Sequence, residues 1–279
     1  MKATVSSGQR ERLVIVGNGM VGHHCVEQLV SRGALQRFEV RVFGEERQRA
    51  YDRVHLSEYF GGSCAETLAL CEHDFYNANG VHLHLGEAVL EIDRERCEVV
   101  TAEGRYGYEQ LVLATGSYPF VPPIEGSSGN ARLVYRTLDD LDGIRAAAAG
   151  ARRGVVVGGG LLGLEAANAL KSLGLEAHVV EFAPRLMPVQ LDGEGGAALK
   201  AQIEALGVGV HLSRATQSIN DGESYRYRMN FDGGEHLETD LVVFSAGIRP
   251  QDALGRACGL EIAARGGVVI DNHCRSSDP

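Results

Sequence analysis

The sequence predicts an α/β fold of two doubly wound units, because one local pattern occurs twice, about half the chain apart. The apolar run Leu13-Val14-Ile15-Val16 leads directly into Gly17-Asn18-Gly19-Met20-Val21-Gly22, and Val155-Val156-Val157 leads into Gly158-Gly159-Gly160-Leu161-Leu162-Gly163. Each glycine run is followed by a helical stretch, a second strand and an acid. Later in each half a strand ends in small residues, Ala114-Thr115-Gly116 and Ser245-Ala246-Gly247, so whole folding units repeat and not only glycine motifs.

In the first half, the run ending at Val16 suits a parallel strand buried on both faces. Gly17 permits the sharp turn, Gly19 lets backbone approach a pyrophosphate, and Gly22 lets the following helix pack close. That helix, expected over Met20 to Ser31, points its free N–H groups at the phosphates, and Gly33 is its stop. A strand over Phe38 to Phe43 runs into Glu45 and Glu46. An acid here accepts ribose hydroxyls; Glu45 is favoured as nearer the strand end, against the plainer reading of a solvated loop acid. Ala50 to Ser57 reads as a charged loop, whose Arg53 would meet a pyrophosphate or a cofactor ring edge; Tyr51 suits contact or packing equally. A strand over Tyr108 to Ala114 precedes Thr115-Gly116-Ser117-Tyr118-Pro119. Pro119, Pro122, Pro123 and a loop over Gly126 to Asn130 make the best linker.

The second half repeats the order. A strand over Val155 to Val157 is followed by a helix from Leu161 to Leu173 with Gly174 past its end. A strand over Ala177 to Val180 then leads into Glu181, placed to receive a ribose 2′-hydroxyl and to repel a 2′-phosphate. This favours NADH over NADPH, a preference nearby Arg185 would soften. Glu165, on the second helix, reads either as favourable helix electrostatics or as a contact to the nicotinamide end. A strand over Asp240 to Phe244 runs into Ser245-Ala246-Gly247-Ile248-Arg249-Pro250. The expected boundaries are 1–120 and 251–279 for the first unit, discontinuous and C-terminally incomplete, and 121–250 for the second.

Composition narrows the function. The net charge of −10 argues against nonspecific nucleic-acid binding, which needs basic surface. No apolar run approaches a membrane span, and the polar N-terminus carries no secretory h-region, so a cytoplasmic protein is expected. The six cysteines form neither C-x-x-C nor a zinc spacing with the histidines, and read as thiols in a reducing compartment. No metal site is expected.

The double fingerprint, Ala114-Thr115-Gly116 and Gly247-Ile248-Arg249-Pro250 resemble the pyridine nucleotide–disulfide oxidoreductase superfamily. Within it, Ile15 to Gly22, Ala50 to Ser57, Ala114 to Pro119, Gly158 to Glu165, Glu181-Phe182-Ala183-Pro184 and Asp271-Asn272-His273-Cys274 are similar to the large subunits of NADH-dependent sirohaem nitrite reductases, from about Arg12 to Pro279. The resemblance implies that Gly17, Asn18, Gly19, Met20, Gly22, Glu45, Arg53, Ala114, Thr115 and Gly116 hold FAD, with Arg136 near the flavin. It likewise implies that Gly158, Gly159, Gly160, Leu161, Leu162, Gly163, Glu165, Glu181 and Gly247 hold NADH.

The family's hydride transfer from NADH to flavin N5 needs no acid–base pair. The redox cysteine pair of its disulfide-reducing members is absent, since Cys64 and Cys71 do not form C-x-x-x-x-C. The third FAD motif, expected after a strand over Val268 to Ile270, and the iron–sulfur and sirohaem region lie beyond this sequence, so it reads as a fragment of a longer enzyme. An incomplete FAD unit predicts aggregation or dependence on a partner: downstream redox domains, a small subunit or a second copy. Two other functions stay open: a stand-alone NADH reductase for ferredoxin or rubredoxin, and a non-catalytic dinucleotide-binding scaffold or redox sensor.

Overall fold

The computed structural model describes residues 10–128 and 132–278; Gly129 and Asn130 of the expected linker loop lie outside them. The chain forms two compact units. One takes residues 10–52, 65–117 and 250–278, the other residues 53–64 and 118–249.

The first unit is built on a parallel sheet. Its strands lie in the order His82–Leu85, Phe38–Gly44, Glu11–Val16, Gln110–Leu113. The central strand is apolar on both faces because both are covered. Leu13 and Ile15 pack with Val40, Val42 and Val26, the last from the helix Met20–Ser31. Val14 and Val16 pack on the opposite side with Phe43, Ile92 and Val99. Ile92 and Val99 belong to an antiparallel meander, Glu91–Asp93, Glu98–Val100 and Arg105–Gly107. The second face is thus closed by a small sheet, an element the glycine pattern does not announce.

The second unit repeats the plan. Its parallel order is Gly209–His211, Glu176–Val180, Arg153–Val157, Leu241–Phe244, Leu133–Val134. Val155, Val157, Val180, Val242 and Phe244 pack against Ile219, Met229 and Phe231 of a second meander, Thr216–Asp221, Tyr227–Phe231 and His236–Thr239. The helix Leu161–Ser172 buries Ala166, Ala167, Ala169 and Leu170. Leu170 closes on the strand at Gly154, where a β-carbon would stand 2.8 Å from it. Each fully buried aliphatic side chain in such a layer stabilises the fold by about 1.5–3 kcal/mol.

The α/β class with parallel sheets and the helix over Met20–Ser31 match the sequence reading. The second fingerprint helix ends at Ser172, with Leu173 as its cap. Val268–Ile270 does not form the expected strand; Val268 makes a single bridge to Ile262. The end of the expected charged loop is a 3-10 helix, Leu56–Gly61. Where the chain passes between segments, Ser117–Pro119 and Ile248–Pro250 pair as a two-stranded ribbon. No described helix is long and apolar enough to cross a membrane.

Candidate functional site

The two glycine turns share one geometry. Gly17 (φ +111°) and Gly158 (φ +120°) are left-handed, and a β-carbon on either would strike a neighbouring strand-end carbonyl, that of Ala114 or of Ser245. A β-carbon on Gly22 or Gly163 would strike the carbonyl of Gly17 or Gly158, so only glycine lets each helix start against its turn. At Gly19 and Gly160 the opposite holds: no atom of the described residues lies within 4 Å of the position a β-carbon would take.

Each of these open glycines caps a helix. Neither Met20–Ser31 nor Leu161–Ser172 has a side-chain N-cap or an acid in its first turn. Elsewhere in the same chain, helix Leu138–Ala148 is closed by a Thr137–Asp140 capping box, and helix Gly193–Ala205 by Asp192. Two helix ends left with unfilled N–H donors behind a clear space fit an anionic pyrophosphate, which supplies the missing acceptors and suits the positive dipole end.

In the first unit the structure gathers Gly17, Asn18, Gly19, Met20, Gly22, Ala114, Thr115 and Gly116. Gly17 N donates to Phe43 O at 2.8 Å and Ala114 N to Val16 O at 2.8 Å. Thr115 Oγ1 donates to Gln251 O at 2.7 Å, and Gln251 N to Gly116 O at 2.9 Å, so the returning segment pins this turn. Asn18 Oδ1 accepts from Tyr76 Oη at 2.7 Å, and that phenol lies 2.8 Å from Nδ1 of the buried His23. Asn18 Nδ2 is buried with no partner among the described residues. Glu45 is exposed immediately past its strand, whereas Glu46 accepts from Tyr51 Oη at 2.6 Å. Tyr51 is buried and bridges to Ala69, so its ring packs.

In the second unit Gly158, Gly159, Gly160, Leu161, Leu162, Gly163 and Glu181 come together. Glu181 Oε2 accepts from Gly159 N at 2.5 Å and Oε1 from Ala183 N at 2.7 Å, which holds the carboxylate at the fingerprint turn. Arg185 is turned away from it: Nε donates to Leu191 O and Nη2 to Pro188 O, both at 3.0 Å. Those two carbonyls occupy the guanidinium that was expected to soften discrimination against a 2′-phosphate. Gly247 lies at the matching strand end, its O accepting from Phe120 N at 2.9 Å.

Arg53 and Arg136 also meet in the second unit, where Arg53 Nη1 donates to Arg136 O at 2.9 Å. Glu165 is the fifth residue of its helix, beyond the first turn, which leaves little of the dipole reading. It is half-buried, and desolvation pushes its carboxyl above the usual range, with partial relief from His55. Beside it Tyr135, a residue the motifs did not single out, is 3% exposed, and its hydroxyl has no partner among the described residues. Burial, and then the charge of Glu165, push that phenol upward. The one local sign of Tyr135 was its place beside Arg136. No disulfide joins the six cysteines, and no group of three or more metal-ligating side chains exists among the described residues.

Residues 11–279 match the pyridine nucleotide-disulphide oxidoreductase family. The chain is 60% identical over 268 residues, 96% of its length, to the nitrite reductase [NAD(P)H] large subunit of Klebsiella oxytoca, and 49% identical over 96% of its length to the nitrite reductase (NADH) large subunit of Escherichia coli (strain K12). It spans only 28% and 32% of those two proteins. A ferredoxin reductase structure from Rhodopseudomonas palustris superposes with a TM-score of 0.88 at 28% identity, covering 97% of this chain and 66% of that one. With two glycine cradles on two parallel sheets and a family match over nearly its whole length, the chain belongs to the pyridine nucleotide-disulphide oxidoreductase family.

Proposed function

We propose that the chain is the electron-entry module of an assimilatory-type nitrite reductase, holding FAD on its first unit and NADH on its second. The observation that carries this reading is the pair of uncapped helix N-termini, each behind an open glycine. A chain that builds two such cradles is suited to pass electrons between two dinucleotides. The nitrite assignment is supported by the 60% identity to the Klebsiella oxytoca large subunit.

A bound flavin supplies acceptance of a hydride from reduced nicotinamide at N5 and release of electrons to a further acceptor. The protein supplies position and field. Gly17, Gly19 and Gly22, and Gly158, Gly160 and Gly163, admit the two pyrophosphates to the helix ends, and Ala114, Thr115, Gly116 and Gly247 leave backbone free at the strand ends. Glu45 and Glu181 receive adenosine ribose hydroxyls. Because Glu181 is held at the turn and Arg185 is committed elsewhere, a 2′-phosphate would meet an uncompensated carboxylate, so NADH is preferred over NADPH. Glu165 and Arg136 are assigned to the nicotinamide and flavin ends. Iron–sulfur and sirohaem chemistry, reduction of nitrite to ammonia, a small subunit, a homodimer and a cytoplasmic setting belong to the proposed parent enzyme.

A second reading, an NADH-dependent reductase for ferredoxin or rubredoxin, is supported by the ferredoxin reductase likeness. An absorbance experiment tests the shared part. The purified chain is mixed with FAD, freed of excess cofactor, and given NADH without oxygen. Retained flavin bands that bleach support both sites. Retained bands that do not bleach count against the NADH site or its alignment, and loss of all flavin counts against FAD binding by this chain. Adding nitrite or oxidised ferredoxin to the parent protein then separates the two readings.

A further inference from the structure

The residue after Glu181 carries a large apolar ring that its own unit leaves uncovered. Phe182 is 78% exposed, yet the chain around it is held firmly. Glu181 N donates to His211 O at 2.8 Å, Arg214 N to Glu181 O at 3.0 Å, and Ser213 N to Ala183 O at 3.0 Å. The Glu181 carboxylate takes the N–H of Ala183 at 2.7 Å. Further along, Leu186 is fully buried, Met187 N donates to Gly159 O at 2.9 Å, and Arg185 straps the loop to Pro188 O and Leu191 O. The ring therefore stands on a fixed frame directly beside the acid of the second cradle.

We propose that Phe182 is the stacking platform for the adenine base of the dinucleotide held by the second unit, an inference that rests on Glu181 receiving the adenosine ribose. The base is joined to the same ribose, one bond from the sugar ring, so it emerges within reach of the side chain next to that acid. A phenyl face offers adenine a π surface with no hydrogen-bond demand. The rigid frame means that little side-chain or loop freedom is lost on binding. The ring thus contributes affinity for the adenosine half and none for the nicotinamide half.

The absence of tryptophan from the chain gives a direct test. Phe182→Trp makes the sole indole of the protein. NAD+ and AMP are expected to quench its emission saturably, and nicotinamide mononucleotide to leave it unchanged. Phe182→Ala, at an exposed position that asks nothing of the core, is expected to weaken NADH binding in calorimetry about tenfold. It should leave reduction of the flavin by reduced nicotinamide mononucleotide unaltered, and Phe182→Trp should restore NADH affinity. Unchanged NADH affinity in Phe182→Ala, or unchanged indole emission at saturating NAD+, overturns the proposal while leaving the NADH site standing. Failure of the unsubstituted chain to bind NADH in calorimetry overturns the NADH site itself and the platform with it.

Discussion

At Gly22 and Gly163 a β-carbon would run into backbone carbonyls, whereas at Gly19 and Gly160 it would enter clear space. Glycines of the same motif thus answer to different demands. Gly22→Ala and Gly163→Ala should destabilise the chain by about 2 kcal/mol or more, because a rigid carbonyl is the obstacle. Gly19→Ala and Gly160→Ala should cost less than about 1 kcal/mol of stability but weaken FAD or NADH binding. Urea unfolding set beside calorimetric binding separates the two outcomes; a Gly160→Ala protein that binds NADH normally would count against the cradle. Glu165 carries a second prediction. Its folded carboxyl titrates above the ordinary carboxylate value, so the folded state holds its proton to higher pH than the unfolded one. Stability then falls as pH rises from the unfolded value of about 4.3 through the raised one, and the full penalty is present above both. Glu165→Gln should raise the melting temperature of the cofactor-free chain at pH 7 and leave it nearly unchanged below pH 4. The glycines were legible because their motif is local, and Glu165 stood out by its place in that motif with two readings open, whereas Tyr135 was not singled out, because its buried hydroxyl meets the charge of Glu165, thirty or so residues further on, only in the folded chain.

Elements show the same division between what neighbours in sequence dictate and what neighbours in space impose. The fingerprint helix Met20–Ser31 follows from an apolar strand, a glycine turn and a glycine stop, all within one stretch of chain. The meanders do not: Val99 and Met229 are fully buried because a parallel sheet needed a second cover, and their short strands carry no motif. Adjacent strands Glu176–Val180 and Gly209–His211 also bring together His178 and His211, with Nδ1 of the first 3.0 Å from Nε2 of the second. Gly209 makes the room, since a β-carbon there would collide with the His178 ring. Burial, with His178 as a further cause, lowers the affinity of His211 for its proton. The unfolded chain therefore binds that proton first as pH falls through about 6.5, and stability declines with it. His211→Gln should reduce the loss of stability between pH 7.5 and 5.5, measured by urea unfolding at both values. A drop as large as in the unsubstituted chain would show that the pair does not contribute to the acid sensitivity.

At the scale of the molecule, the first unit is completed by a segment far along the chain. Gln251 closes on Thr115 and Gly116, and Leu254 and Cys258 pack against the cluster of Val14, Val16 and Phe43. Deleting residues 250–279 should therefore expose that cluster, abolish flavin retention and drive self-association through the uncovered apolar surface. Size-exclusion chromatography with detection at flavin wavelengths checks this, and a monomeric, yellow deletion protein would contradict it. The sequence by itself determined the duplication, the parallel α/β units and the two glycine turns that each open a helix. Those features depend on apolar runs, the missing side chain of glycine and the dipole of a helix, which act over a few residues. Only the tertiary structure decided that residues 53–64 pack with the second unit, that meanders close the sheets, that Arg185 is taken up by its own loop and that Glu181 is held by the turn it serves. Each of these follows from contacts that require the chain to be folded first, because burial and hydrogen-bond partnership are properties of neighbours in space.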